Sequence, residues 1–222
     1  MQINTQYRVI LVNLLLFLLS GKAFSAGGDL QFLLARANDT PIVNSQVMRD
    51  FYKRFLSLRT LPVPVVAAVN GPAIGAGFAV SLACDMRVIA ADAKVGLTFA
   101  TLGLHPGMGS THYLPSLVGI EKAARLLLTG AIIEGTEAGQ LGICSSVVLK
   151  DQVVPQALKL AREIASASPV AVRSTTVSLR MKQDVGLEQA LQREADCQAH
   201  SYNMPDLKEG LEAVKAKRKP IF

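Results

Sequence analysis

Apolar positions along this chain follow two periods, and the change from one to the other outlines the predicted elements. In residues 62–85 (PVPVVAAVNGPAIGAGFAVSLACD), Val63, Val65, Val66 and Val69 form a short β-branched run that predicts a buried strand. Asn70-Gly71-Pro72 breaks it. Beyond Gly75-Ala76-Gly77, residues 78–83 are apolar throughout and suit a buried helix. Residues 30–61 have a helical pattern, with Phe51, Phe55 and Leu58 at three- and four-residue steps and Arg49, Lys53, Arg54 and Arg59 between them. Residues 38–44, which contain Pro41, read as a flexible loop inside that stretch.

Past Asp85, residues 86–90 predict a strand and 93–97 a brief extended piece. A small-residue turn at 102–111 leads into 113–118, then a helix over 121–128 closed by Thr129-Gly130, a short helix over 137–141 and a strand over 145–149. Residues 151–167 are amphipathic, with Val154, Ala157, Leu158, Ala161, Ile164 and Ala165 on one face and Lys159, Arg162 and Glu163 on the other. Helices follow over 169–181, 187–200 and 206–217. The pattern is α/β over residues 1–150 and all-helical over 151–222, so the last third is expected to form a helical subdomain or arm. No sequence repeat of fixed period is present. Residues 9–19 are nearly all apolar and too short for a comfortable bilayer span. They have the outline of a signal peptide ending at Ser25 and Ala26, and equally that of a buried strand entering a turn at Gly21.

Composition narrows the classes. The 222 residues are 50% hydrophobic, enough for a sizeable core. A net charge of +6, no Trp and few aromatics argue against a nucleic-acid-binding surface. A basic balance suits an anionic small molecule or cofactor, while the clearest cluster, Lys215, Lys217, Arg218 and Lys219, reads by itself as a solvated cationic tail. Cys84, Cys144 and Cys197 are widely spaced and form no CxxC, which favours buried thiols in a reducing compartment. His105, His112 and His200 have no metal-ligand spacing, so no metal is expected.

Two stretches carry candidate chemistry. A strand, a glycine-rich turn and a helix start at Gly75-Ala76-Gly77 present backbone N–H groups that can hold an anionic oxygen. Close helix–strand packing would demand the same small residues. FSAGGDL (residues 24–30) is a second small-residue turn where backbone can approach a ligand, with Asp29 placed to cap the following helix. His105 and His112 flank the PGMGS turn; a structural, hydrogen-bonded role fits each. Ser25, Thr98 and Ser110 are possible water-positioning hydroxyls.

FSAGGDL, then PVVAAVNGPAIGAGFAVSLACD, LGLHPGMGSTHYL, TGAIIEGTEAGQLG and a terminal EG…KRKP.F together closely resemble the enoyl-CoA hydratase/isomerase (crotonase) family over residues 21–222. The resemblance implies a spiral of ββα units with a helical C-terminal trimerisation region, assembled as a homotrimer or hexamer. It favours a strand over residues 8–19, because cleavage near Ser25 would cut into the family's active-site segment. Family chains carry further strand-rich repeats upstream, so the N-terminal repeats are expected to be truncated. The implied ligand is an acyl-CoA thioester, with coenzyme A as part of the substrate and no separate cofactor. The implied oxyanion donors are the N–H groups of Gly28 and Ala76, with Ala26, Asp29, Leu30, Gly75 and Phe99 as substrate-binding positions. The family's two catalytic glutamates correspond to Ala79 and Phe99, neither of which moves a proton. The expectation is an acyl-CoA-processing protein, by hydration or isomerisation, with standard hydratase activity in doubt. The alternative is an inactive acyl-CoA-binding or scaffold subunit. An intracellular location, mitochondrial or cytoplasmic, is implied, without a stable membrane span.

Overall fold

The computed structural model describes residues 8–11, 14–18 and 21–222. A short β1 (Arg8–Leu11) and β2 (Leu14–Leu18) pair antiparallel, where the sequence pattern predicts one strand over the whole stretch. Helices α1 (Leu30–Arg36) and α2 (Pro41–Leu56) follow. Pro41 does not sit in a loop. It occupies the first turn of α2, where its missing N–H is harmless and Thr40 caps the helix by accepting from Val43 N–H.

Two ββα units come next. In the first, β3 (Val65–Val69) and β4 (Ala73–Ile74) lead into α3 (Ala76–Ala83). In the second, β5 (Met86–Ala90) and β6 (Lys94–Gly96) lead through a 3-10 turn (Ala100–Leu102) into α4 (Ser110–Val118). The first strands of the units lie side by side, parallel, in a five-stranded sheet of order β1-β2-β3-β5-β8, where β8 is Ser146–Val148. The second strands lie side by side, parallel, in a three-stranded sheet of order β4-β6-β7. Strand β7 (Ile132–Glu134) pairs antiparallel with β6 and is absent from the sequence prediction. Three residues are too few to show alternation. Helices α5 (Ile120–Thr129) and α6 (Gly135–Gln140) flank β7.

Every residue of β3 is fully buried, as a parallel strand covered on both faces requires. One cover is α7 (Val153–Ala165), which packs on β2, β3 and β5. Val153, Ala157 and Ala161 point inward, and the alanines let the helix approach closely. Val154, predicted on the inner face, is instead exposed, because the buried stripe begins one residue earlier. Helix α8 (Pro169–Gln183) reaches the segment before β3 through its buried Arg180, and α9 (Leu187–Ser201) packs along α2. Helix α10 (Pro205–Lys215) rests on the 3-10 turn. There Gly210 is required, because a Cβ would lie 2.6 Å from the Leu102 carbonyl carbon.

Buried charges fasten the helices to the sheets. Arg87 donates to the carbonyls of Ser81, Leu82 and Cys84, closing the end of α3, and to Ile143 O at 2.6 Å. Arg180 of α8 forms a fork on Asp85, Nε to Oδ1 at 2.8 Å and Nη2 to Oδ2 at 2.5 Å, and donates to the carbonyls of Arg59, Leu61 and Val63. Asp85 also accepts from Val65 N–H at 2.7 Å, which anchors the start of β3. Cys84 is buried, and burial pushes its thiol up to about 12; Cys144 and Cys197, expected to be buried, are half-buried. Among the described residues no helix is long and apolar enough to cross a membrane, and no three His, Cys, Asp or Glu side chains cluster as metal ligands.

Candidate active site

FSAGGDL and the Gly75 turn are far apart in sequence, and backbone bonds bring them together. Ser25 bridges Ala73 in parallel register, with Ser25 N–H donating to Pro72 O at 3.0 Å and Ile74 N–H donating to Ser25 O at 2.9 Å. Two glycines make this approach possible. Gly27 has φ +94°, and a Cβ there would sit 2.9 Å from Ile74 O; a Cβ on Gly77 would sit 2.3 Å from Ser25 Cβ. Gly75 has φ +54° and ψ −122°, which turns the chain into α3, and its N–H donates to Gly96 O at 2.8 Å.

Helix α3 therefore begins at Ala76, two residues earlier than its apolar run. Its first intrahelical bond is Ala79 N–H to Gly75 O at 3.0 Å, and no side chain caps the turn. The N–H groups of Ala76, Gly77 and Phe78 thus precede the helical ladder at its partially positive end. On the other side, Asp29 caps α1 by accepting from Gln31 N–H at 2.7 Å, as its position in the sequence predicts.

A cavity of about 640 Å³ opens between these segments. Ala26, Gly28, Asp29, Leu30, Gly75, Ala76 and Phe99 all line it, as does Thr98. Ala79 does not; it is fully buried inside α3. His105, His112, Ser25 and Ser110 also lie outside the lining. The imidazoles are held by backbone carbonyls, His105 Nδ1 at 2.7 Å from Pro106 O and His112 Nε2 at 2.8 Å from Gln183 O. Ser110 Oγ donates to Gly107 O, and Ser25 Oγ accepts from Gly27 N–H.

The walls that sequence reasoning missed come from α2 and α9. Phe51 and Phe55, read as part of a helix's apolar stripe, instead face the cavity beside Phe32, which stacks on Phe51 at 5.6 Å between centroids. Tyr52 and Gln198 also line it; Tyr52 Oη donates to Gln198 Oε1 at 2.7 Å, and Gln198 Nε2 donates to His105 O at 2.8 Å. One turn earlier on α9, buried Glu194 accepts from Gly109 N–H at 2.6 Å and from Thr111 N–H at 2.8 Å, capping α4 from across the fold. Nothing local in the sequence signals these pairings.

The cavity sets the two small-residue turns against apolar side chains. Among the described lining residues the ionisable groups are Asp29, Arg54, Tyr52 and Tyr202. Burial first, and then the field of Glu194, pushes the Tyr52 phenol well above its ordinary value; burial does the same to Tyr202. Both stay neutral at physiological pH. Arg54 is exposed, and the Asp29 carboxylate is taken up by its cap.

Paired ββα units thus set a glycine-shaped helix start beside an apolar chamber. The family described as Enoyl-CoA hydratase/isomerase matches residues 4–222, and the chain belongs to it. Its fold is the crotonase fold: an enoyl-CoA hydratase from Mycobacterium avium subsp. paratuberculosis superposes with a TM-score of 0.80 at 28% identity, covering 95% of this chain and 80% of that one. The chain is 34% identical over 216 residues to a crotonyl-CoA hydratase of Syntrophomonas wolfei, covering 95% of this chain and 80% of the relative. It is 31% identical over 204 residues to the enoyl-CoA isomerase/hydratase fer4 of Mycosarcoma maydis, covering 91% and 73%.

Proposed function

We propose that the cavity binds an acyl-CoA thioester with its carbonyl oxygen between the N–H groups of Gly28 and Ala76. These fixed donors stabilise the oxygen as it takes on enolate charge. Such donors lower a barrier most where water is excluded and no reorganisation is needed. The observation that carries this reading is the stitching of Gly28 and Ala76 into one cavity wall by the Ser25–Ala73 bridge, at the start of a helix left uncapped by any side chain. The hydratases and isomerase/hydratase it resembles act, by their names, on enoyl-CoA compounds, and supply the substrate class.

Hydration additionally needs a base for water and an acid for carbon. On the family resemblance, buried Ala79 and apolar Phe99 replace the two catalytic glutamates, so hydration is expected to be slow at best. That implied loss favours a second reading, an acyl-CoA-binding subunit without turnover. One experiment separates the two: crotonyl-CoA hydration and 3-enoyl-CoA isomerisation are assayed beside acyl-CoA binding by calorimetry. Binding without turnover of either substrate leaves the second reading; absence of binding refutes both. Gly28→Pro deletes one donor N–H and is expected to abolish any turnover. Unchanged turnover means the oxyanion is held elsewhere.

A further inference from the structure

The buried end of the cavity contains a backbone anomaly. Met108 has φ +61°, and among the described residues only Lys217 shares a positive φ without being glycine. Glycine would adopt this conformation without strain, and a long side chain held there needs a reason. The surroundings enforce it. Gly107 leaves no room for a Cβ, which would lie 2.3 Å from Tyr52 Oη. The Tyr52 hydroxyl packs against this turn and donates its own proton to Gln198. On the other side Gly109 (φ +77°) is held through its N–H by Glu194. Residues on α2 and α9 thus clamp both flanks of Met108, and its side chain lines the cavity at 1% exposure.

The lining residues have a gradient of exposure. Ala26, Gly28, Asp29, Arg54, Ile132 and Val214 are exposed and mark the mouth, while Met48, Tyr52, Leu104, Met108, Gln198 and Tyr202 are buried and mark the floor. A large polar nucleotide moiety must remain at the mouth. A thioester held at Gly28 and Ala76 therefore directs its acyl group toward the floor. We propose that Met108 is a specificity-determining residue that sets the depth of the acyl chamber, an inference that rests on the acyl-CoA reading. Its unbranched thioether fills space that a longer chain would otherwise occupy.

The test is competition binding of butanoyl-, octanoyl- and dodecanoyl-CoA to the wild type, Met108→Gly and Met108→Ala. Glycine suits the local φ, and alanine provides a second variant if the glycine protein does not fold. Each methylene newly buried strengthens binding about fourfold. Truncation is therefore expected to raise affinity for dodecanoyl- relative to butanoyl-CoA by about tenfold or more. If the wild type binds and either folded variant keeps the wild-type ratio, the assignment of Met108 is overturned while the acyl-CoA reading stands. If the wild type binds none of the three, the acyl-CoA reading falls and takes this one with it.

Discussion

Arg180→Met removes the clasp that holds α8 on the core, and its effect can be worked from the contacts. The guanidinium is 8% exposed and the Asp85 carboxyl 18%. Its loss leaves Asp85 with Val65 N–H at 2.7 Å and the more distant Arg59 Nη1 at 3.4 Å. Breaking a buried ion pair by removing one partner costs about 3–5 kcal/mol, because the remaining charge is left uncompensated. Arg59 still offsets part of that charge, which points to the lower end. The carbonyls of Arg59, Leu61 and Val63 each lose a charged donor, worth about 1–3 kcal/mol where water cannot replace it. This segment lies near the surface, so water recovers much of that loss. The expected total is about 4 kcal/mol, a large share of a typical domain's stability. Arg180→Lys keeps the charge without the fork and is expected to lose about half as much. Urea unfolding followed by far-UV circular dichroism measures both. A loss below about 1 kcal/mol for the methionine variant, or a lysine variant as stable as the wild type, refutes the reasoning.

Glu194→Gln places an amide against the N–H groups of Gly109 and Thr111; a stability loss of about 2–4 kcal/mol is expected by urea unfolding, with acyl-CoA affinity reduced as the Met108 loop loosens. Gly27→Ala combines φ +94° with a Cβ at 2.9 Å from Ile74 O, so thermal unfolding should register a loss of about 1–3 kcal/mol. For His105, burial lowers the imidazole below its ordinary 6.5 and the Pro106 carbonyl only partly opposes this. Between the folded value and 6.5 the unfolded chain binds more protons, so stability rises with pH across that window. Urea midpoints measured from pH 5 to 8 should show that slope in the wild type and a smaller one in His105→Gln.

What was legible in the sequence follows from the range of the forces involved. Gly75-Ala76-Gly77 and FSAGGDL stand out because a positive φ or a close backbone approach admits little but glycine, a demand each position makes alone. The β-branched run at Val65–Val69 is equally self-evident, since a strand covered on both faces has no polar side to hide it. Pro41 is ambiguous in isolation: the same ring ends a helix or begins one, and the capping bond of Thr40 decides between them. The cavity floor was beyond reach for a different reason. Tyr52, Glu194 and Gln198 read as ordinary helix positions until α2 and α9 are laid together, and no local pattern encodes which turn of one helix meets which turn of the other.

The Ser25–Ala73 bridge makes the two proposed donors conditional on each other. Gly28 and Ala76 are 48 positions apart, and the backbone bonds Ser25 N–H to Pro72 O and Ile74 N–H to Ser25 O hold their turns in register. Opening that pair parts the two halves of the cavity wall while the strands on either side stay folded. Amide hydrogen exchange at Ser25 and Ile74 is therefore a gauge of how much of the population is assembled to receive a ligand at any moment. A bound thioester spanning both turns would slow exchange at these two amides as well as at the Gly28 and Ala76 N–H groups it covers.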